Sequence, residues 1–163
     1  MIRTAILVVS DTRGDKASNK PDLCIPAIAG FLNGKDFEVV ASKIVKDEIG
    51  EIQQAIRDWV DDRSIDLVLT SGGTGVSPRD VTPEATRPLL TKELPGVAEA
   101  MRAYSLKKTV RAVLSRAVAG LAGDTLVVNL PGSPKGAVEN LEAVFESFAH
   151  IIEKGRGDNS DCA

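Results

Sequence analysis

Apolar residues follow two different periods along this chain, and their alternation predicts the fold class. Four runs are strand-like, and most are almost wholly apolar, as is typical of a parallel sheet covered on both faces. They cover residues 4–9, 37–45, 65–69 and 125–130. Longer segments are helical in pattern, with apolar residues at every third or fourth position in the clearest of them. They cover residues 21–32, 48–63, 82–90, 95–104 and 134–152. Strands that alternate with helices predict an α/β fold with a helix-covered parallel sheet.

One pair of strands interrupts this alternation. Residues 117–121 are apolar and turn at Ala122-Gly123-Asp124 into the run at 125–130, which predicts a hairpin. No repeat, linker or low-complexity block divides the chain, so we expect a single domain over residues 1–154. Residues 155–163 are poor in apolar side chains, and we expect them to form a flexible C-terminal tail.

Composition and charge exclude several classes of protein. Hydrophobic residues make up 43% of the 163 positions, charged residues make up 26%, and the formal net charge is −3. This charge gives no electrostatic footprint for nucleic acid. No apolar run reaches the length of a membrane span, and the N-terminus lacks the pattern of a signal peptide. We therefore expect a cytoplasmic protein that binds neither nucleic acid nor membrane, with Cys24 and Cys162 as free thiols.

The single histidine restricts the chemistry that the chain can perform. His150 lies near the end of the last predicted helix, remote in sequence from every glycine-rich loop. A histidine-based triad and a multi-histidine zinc site are therefore excluded. The chemistry must use carboxylates, hydroxyls, basic side chains, backbone amides and a bound ion.

The most distinctive stretch follows the predicted strand at residues 65–69. It contains three glycines within four residues, and such a turn can offer successive backbone N–H groups to an anion. Thr82 and Pro83 then read as the N-cap and first turn of a helix, whose N-terminus adds positive potential. Asp80 lies between these features and would repel a bare phosphate, so the stretch predicts a phosphate site completed by a divalent cation. A tight connection without a ligand is the alternative.

Asp47 is a second candidate carboxylate with its own structural alternative. It stands just before the helix at residues 48–63, where an N-cap contributes about 1 kcal/mol, and the sequence alone favours that role. Asp80, in turn, could cap a turn or pair with Arg79. However, the strand before Asp47 should end at the same edge of the sheet as Gly72. Two carboxylates from neighbouring strand ends can share a Mg²⁺ that bridges phosphate oxygens.

Hydroxyl groups supply the remaining candidates. Ser133, with Gly132, forms a second helix-terminal anion site or a plain N-cap. Ser10 and Asp11 end the first strand and could line the same edge or cap a loop. Arg79 and Lys135 could neutralise phosphates, although solvated or salt-bridged roles are more common for such residues.

The chain resembles the MogA/MoaB family, which includes molybdopterin adenylyltransferases and the G domains of gephyrin and plant Cnx proteins. The central match is long and specific: Thr70-Ser71-Gly72-Gly73-Thr74-Gly75 and Pro78-Arg79-Asp80-Val81-Thr82-Pro83-Glu84-Ala85-Thr86. Shorter matches flank it: Val8-Val9-Ser10-Asp11, Lys46-Asp47-Glu48, Leu114-Ser115-Arg116 and Asn129-Leu130-Pro131-Gly132-Ser133. Together they extend the resemblance over residues 3–152.

The resemblance implies a three-layer α/β/α sandwich whose mostly parallel sheet has one antiparallel strand, which the predicted hairpin would supply. It also implies an enzyme of molybdenum cofactor biosynthesis, a nucleotidyltransferase that adenylylates molybdopterin with ATP and releases pyrophosphate before molybdenum insertion. Mg²⁺ would be its cofactor, a homotrimer or a dimer of trimers its assembly, and the molybdenum-insertion enzyme a candidate partner.

Two other functions remain open beside this one. A non-catalytic molybdopterin-binding or carrier protein of the MoaB type is the alternative, because Lys46 stands where the family usually has a proline. A related domain of molybdenum-insertion enzymes or CinA-like proteins is a third possibility, and such domains normally occur beside further domains.

The resemblance also implies roles for individual residues. Asp47 and Asp80 would be catalytic and would hold Mg²⁺, the glycine turn would cradle phosphates, and Ser115 and Ser133 would seat the pterin. The expected substrate-binding residues are Ser10, Asp11, Ser71, Gly72, Gly73, Thr74, Gly75, Ser115, Pro131, Gly132 and Ser133.

Overall fold

The computed structural model of the chain describes residues 1–14 and 20–158, and its elements alternate as the hydrophobic pattern predicts. The described strands are β1 (Ile2–Val9), β2 (Phe37–Val45), β3 (Leu67–Ser71), β4 (Lys92–Glu93), β5 (Ala119–Ala122) and β6 (Thr125–Leu130). The described helices are α1 (Asp11–Gly14), α2 (Cys24–Leu32), α3 (Ile49–Asp61), α4 (Thr82–Thr86), α5 (Pro95–Leu106) and α6 (Pro134–Gly155). Two 3-10 helices cover Arg87–Leu89 and Val110–Leu114.

The six strands form one sheet in the order β2-β1-β3-β6-β5-β4. β1 is parallel to β2 and β3, and β3 is parallel to β6, whereas β5 is antiparallel to both β6 and β4. The predicted sheet with a single antiparallel strand is therefore confirmed, and the hairpin of β5 and β6 supplies that strand. Because four neighbouring strands run in the same direction, Val9, Val45, Ser71 and Leu130 all end at one edge of the sheet.

Both faces of the sheet are covered by helices, as a three-layer sandwich requires. Alternate residues of β1 point to opposite sides: Ile6 packs with residues of α2, α5 and α6, whereas Ala5 and Leu7 pack with residues of α3 and α4. Phe148 of α6 and Ile56 of α3 are fully buried in these two layers. Each such side chain contributes about 1.5–3 kcal/mol by leaving water. The three layers hold the carboxyl ends of the strands in a fixed array.

Several element boundaries differ from the predicted ones for local reasons. α2 begins at Cys24, not Pro21, because the Asp22 carboxylate accepts hydrogen bonds from the backbone N–H groups of Cys24 and Ile25. Leu23, which the predicted range 21–32 includes, thus lies outside α2 and is 56% exposed. The helix expected over residues 82–90 ends at Thr86 and continues as a 3-10 turn, because Pro88 has no N–H with which to continue it.

An ion pair holds the C-terminal end of the last helix. α6 runs to Gly155, and Arg156 forms an ion pair with Asp66 across the molecule. Residues 159–163 of the predicted tail, which include Cys162, lie outside the described residues. Cys24 is a buried free thiol. Across residues 1–14 and 20–158, every helix is too short or too polar to cross a bilayer.

Candidate functional site

A loop of four residues follows β3 at the edge where the parallel strands end. We call Gly72, Gly73, Thr74 and Gly75 the glycine loop. Gly72 and Gly73 have φ angles of 107° and 64°, which favour glycine. A Cβ on Gly72 would lie 2.2 Å from the carbonyl oxygen of Val9. Glycine is therefore required by both the backbone conformation and the packing of the loop against β1.

The glycine loop leaves a row of backbone donors free. Gly72 is not one of them, because its N–H donates to the Leu130 carbonyl at 3.2 Å. Among the described residues, the N–H groups of Gly73, Thr74 and Gly75 have no hydrogen-bond acceptor. Successive free N–H groups of this kind form a concave site for anions. The cradle is therefore shifted one residue from the predicted start at Gly72.

A buried network of hydrogen bonds connects the glycine loop to β6. The Asn129 side chain of β6 donates to the hydroxyls of Thr70 at 2.9 Å and Thr86 at 3.0 Å. The Thr86 hydroxyl donates to the Thr82 carbonyl, and the Thr82 hydroxyl donates to the Gly72 carbonyl, each at 2.8 Å. Thr82 was predicted to be the N-cap of its helix, but Val81 holds that position and the Thr82 hydroxyl points back to the loop. The network thus links the loop to the centre of the sheet.

Arg116 fixes the segment that follows the glycine loop. Its Nε donates to the Gly75 carbonyl and its Nη2 to the Asp80 carbonyl, each at 2.7 Å, and it also forms an ion pair with Glu84. The Arg116 backbone N–H donates to the Thr74 carbonyl at 2.9 Å. Sequence reasoning missed this role, because a side chain that binds backbone carbonyls leaves no residue-type pattern at its partners. Arg116 therefore sets where Asp80 lies.

Asp47, Asp80 and Asp11 line one cavity of about 430 Å³ on the near side of the glycine loop. We call it the acidic cavity, and Gly72, Gly73, Gly132 and Ser10 also line it. Asp47 was favoured as an N-cap from the sequence alone, but this interpretation is wrong. Glu48 occupies the N-cap position of α3, and Asp47 Oδ2 accepts the N–H of Asp11 at 2.7 Å. The other oxygen, Oδ1, lies 3.1 Å from where a Cβ on Gly73 would be.

Asp80 enters the acidic cavity from a tight turn. Its Oδ2 accepts the N–H of Ser77 at 2.8 Å, so the turn-capping alternative is confirmed. The alternative pairing with Arg79 is wrong, because Arg79 donates to Asp11 and Glu48 instead. Asp80 Oδ2 also lies 2.9 Å from where a Cβ on Gly75 would be. A carboxylate oxygen of Asp47 and one of Asp80 thus both lie close to the glycine loop.

Electrostatics distinguish the three carboxylates of the acidic cavity. The Arg79 guanidinium is the main cause that lowers the pKa of Asp11. Burial raises the pKa of Asp47 above its ordinary value; the N–H of Asp11 opposes this rise, and the charges of Asp11 and Asp80 add to it. A divalent cation beside Asp47 would relieve that repulsion. The cavity therefore combines carboxylates that suit a cation with the basic side chains of Arg13 and Lys20, which also line it.

The few carboxylates of the acidic cavity suit Mg²⁺, which takes most of its ligands from phosphates and waters. They do not suit an ion that needs all of its ligands from the protein. Across residues 1–14 and 20–158, no group of three or more His, Cys, Asp and Glu side chains is arranged to hold a metal ion. Mg²⁺ is usually held by one or two carboxylates, with substrate phosphates and waters as its other ligands. Asp47 and Asp80 meet that requirement beside the anion cradle.

A second cavity, of about 270 Å³, lies on the far side of the glycine loop. We call it the hydroxyl cavity. Its lining includes Thr74, Gly75, Ser105, Thr109, Ser115, Pro131, Ser133 and Asn140. Ser133 caps α6 as predicted, since its Oγ accepts the Gly136 N–H at 3.1 Å. The glycine loop is therefore a wall shared by a cavity with three carboxylates and one that combines hydroxyl and amide groups with arginine side chains.

Twelve of the thirteen predicted site residues line one of the two cavities. The exception is Ser71, whose buried hydroxyl donates to the Pro131 carbonyl at 2.9 Å and joins the ends of β3 and β6. Lys135 is 87% exposed, and it is absent from the lining of both cavities. Residues that sequence reasoning missed complete the hydroxyl cavity: Arg102, Ser105, Thr109, Arg111 and Asn140. They come from α5, α6 and the segment after α5, far from any recognisable motif.

Comparison with known proteins gives the family of the chain. The model of the family described as "Probable molybdopterin binding domain" matches residues 5–150. The chain is 41% identical to molybdopterin adenylyltransferase of Haemophilus influenzae over 157 residues, covering 95% of this chain and 79% of that protein. It is 40% identical to the Drosophila melanogaster molybdenum cofactor synthesis protein cinnamon over 154 residues, or 93% of this chain, but spans only 25% of that protein's length.

A solved structure extends this agreement to the whole fold. The molybdopterin biosynthesis enzyme MoaB from Thermus thermophilus superposes with a TM-score of 0.88 at 50% identity, covering 97% of this chain and 98% of that one. The family match includes Asp47, Asp80 and the glycine loop. The chain belongs to the molybdopterin binding domain family of molybdenum cofactor biosynthesis.

Proposed function

We propose that the chain adenylylates molybdopterin: it joins the adenylyl group of ATP to the terminal phosphate of molybdopterin and releases pyrophosphate. The observation that carries this proposal is the placement of Asp47 and Asp80 in one cavity, beside an anion cradle and next to a second cavity lined by hydroxyl, amide and arginine side chains. Such a pair of cavities suits a reaction between a charged polyphosphate and a polar heterocycle.

The reaction asks for positioning and charge neutralisation more than for acid–base chemistry. The attacking phosphate oxygen of molybdopterin is already an anion, and displacement at the α-phosphorus needs no covalent protein nucleophile. The single histidine, His150, lies exposed on α6, in keeping with a reaction that needs no strong base. The free N–H groups of the glycine loop would bind the phosphates from both cavities.

Asp47 and Asp80 would hold the Mg²⁺ of the ATP complex, which would neutralise charge on the bridging phosphate oxygens. The chain itself supplies the orientation of these two ligands. The N–H of Asp11 holds Asp47 Oδ2, and the turn from Ser77 holds Asp80 Oδ2. In the hydroxyl cavity, Ser115, Ser133 and Asn140 would donate and accept hydrogen bonds around the pterin.

The direct test measures pyrophosphate release from ATP and molybdopterin in the presence of Mg²⁺. We expect turnover by the wild-type protein and its loss in Asp47→Ala and in Asp80→Ala. Asp124→Ala, in the exposed turn between β5 and β6, is the matched control and should keep full turnover. If Asp47→Ala and Asp80→Ala both turned over as fast as the wild-type protein, the mechanism would be contradicted. A protein that retained molybdopterin without forming pyrophosphate would instead be the carrier of the MoaB type.

We also propose that the chain works in the cytoplasm as a homotrimer, or a dimer of trimers, and passes its product to the molybdenum-insertion enzyme. A ring requires two different surfaces on each copy. One candidate is the exposed apolar side of the Val110–Leu114 helix, where Val110 is 76% exposed; another is a largely apolar groove of about 550 Å³ between α5 and α6. The molar mass in solution, measured by light scattering, tests the assembly, and a monomer at micromolar concentration would contradict it.

A further inference from the structure

Arg79 joins three loops at the rim of the acidic cavity. Its Nε and Nη2 donate to the two carboxylate oxygens of Asp11 at 2.9 and 3.0 Å, and Nη2 also donates to Glu48 at 2.8 Å. Asp11 begins α1 after β1, Glu48 precedes α3 after β2, and Arg79 lies in the loop after β3. The guanidinium fork matches a carboxylate with two parallel hydrogen bonds. Arg79 therefore bridges the ends of three parallel strands.

Both carboxylate oxygens of Asp11 are engaged by this bridge, and Oδ1 also binds Asp47. Its Oδ1 accepts the N–H of Asp47 at 3.1 Å in addition to Arg79, while its own N–H donates to Asp47 Oδ2 at 2.7 Å. The two aspartates thus hold each other by reciprocal backbone-to-carboxylate hydrogen bonds. Asp11 faces the cation of Arg79, whereas Asp47 and Asp80 have no ion pair in the described part of the chain. Three carboxylates line the cavity, but only two are left for a ligand.

We infer that Asp11 and Arg79 are positioning residues: their bridge fixes the Asp47 carboxylate against the glycine loop, and Asp11 is not itself a metal ligand. The inference rests on the proposed function for the role of the metal, and on the geometry of the described residues for the bridge. Each ion pair is about half exposed and would contribute little alone. The bridge can fix the Asp47 carboxylate because a single guanidinium joins three loops.

The first test needs no metal or substrate. Amide hydrogen exchange by NMR on the apo protein reports directly on the N–H groups of Asp11 and Asp47. We expect Arg79→Gln to speed exchange at both amides by about tenfold, which corresponds to roughly one lost hydrogen bond's worth of local stability. Arg79→Lys should lie between the wild type and Arg79→Gln, because an ammonium cannot bind both oxygens in the fork geometry.

A matched control separates the bridge from the general loss of a surface ion pair. Arg87 pairs with Glu93 at 2.8 Å with an exposure close to that of Arg79, but it lies outside the acidic cavity. Arg87→Gln should leave exchange at Asp11 and Asp47 unchanged. Equal exchange in Arg79→Gln and the wild type would overturn the inference.

The second test measures affinity for Mn²⁺ alone by electron paramagnetic resonance. Arg79→Gln and Asp11→Asn should each weaken binding about five- to tenfold, and the double variant should be no weaker than either, because both changes break one bridge. If Asp11 were a ligand, Asp11→Asn would cost far more than Arg79→Gln and the two effects would add, which would overturn the inference. A wild type that bound no Mn²⁺ would contradict the proposed metal site, and the exchange data would then decide the bridge by themselves.

Discussion

The acidic cavity and the hydroxyl cavity share the glycine loop as a wall, but they are built in different ways. The acidic cavity is assembled from the segments that follow β1, β2 and β3, with Gly132 after β6, and the parallel sheet brings all four strand ends to one edge. The hydroxyl cavity is assembled from α5, α6, the end of β6 and the segment around the Val110–Leu114 helix. The first depends on sheet topology and the second on how helices pack. Their contents differ accordingly. Three carboxylates and two glycines with positive φ line the acidic cavity, whereas hydroxyl and amide groups line the hydroxyl cavity together with Arg102, Arg111 and Glu139.

This division suggests how the proposed reaction is shared between the two sides. Carboxylates near an anion cradle suit a metal and a polyphosphate, whereas hydroxyl and amide groups suit the hydrogen-bonding edges of a heterocycle. Each side can be changed separately, so the comparison makes distinct predictions for each.

The largest effect is expected on the acidic side. Asp80→Asn keeps an oxygen that can accept the Ser77 N–H, so the turn should persist while the charge is lost. Turnover should fall by about 10²–10³-fold, the size found when one electrostatic group of a transition-state site is removed. The melting temperature should stay within about 2 °C of wild type. A variant that lost turnover only because it unfolded would leave the division of roles unsupported.

The next effect should reach both cavities, because their common wall would be loosened. Asn129→Ala removes the side chain that bonds Thr70, Thr86 and the N–H of Val118 in the buried network. Leaving those groups without partners should cost about 2–3 kcal/mol in the free energy of unfolding, measured by urea denaturation. Gln54→Ala, on the exposed face of α3, is the control and should change it by less than about 0.5 kcal/mol. Equal stabilities would mean that the network does not support the loop.

A smaller effect is expected on the hydroxyl side. Ser133→Ala removes the cap of α6 and should cost about 1 kcal/mol in stability, with a rise in the KM for molybdopterin and little change in the KM for ATP. Ser133→Asp keeps a capping oxygen, so it should recover the stability but not the KM, because it adds a negative charge near a phosphate-bearing substrate. A rise in the KM for ATP instead would reverse the assignment of the two cavities.

The smallest effect concerns how the stability of the folded protein depends on pH through Asp47. Burial and neighbouring carboxylates raise the pKa of Asp47 in the folded protein above its ordinary value of 3.8. Ionised Asp47 therefore opposes folding, and the contribution of this group to stability is lost as the pH rises through the raised pKa. Asp47→Asn should be slightly more stable than wild type at pH 7 and equal to it near pH 3, by thermal melting. If the Asp47→Asn variant were less stable than wild type at pH 7, the ionised carboxylate would not be destabilised by its surroundings in the folded protein.

The same contrast explains how much of the structure could be predicted from the sequence. The sequence predicts Asp47 and Asp80 at one edge because parallel strands end together, and it indicates the glycine loop because the spacing of its glycines is unusual. The start of α2 was missed because it depends on Asp22, a side chain that precedes the helix by two residues. The role of Arg116 was missed because its partners are backbone carbonyls, and Arg111 and Asn140 because only tertiary packing of α5 and α6 brings them to the site.

The central claim is that the metal binds on the carboxylate side of the glycine loop. The most direct measurement is paramagnetic broadening of backbone amide signals by Mn²⁺ in the presence of a non-hydrolysable ATP analogue. We expect the signals of Asp11, Asp47, Gly73 and Asp80 to broaden first, and we expect Asp47→Asn to abolish this broadening. Broadening centred on Ser115, Ser133 and Asn140, or broadening that Asp47→Asn left unchanged, would contradict the central claim.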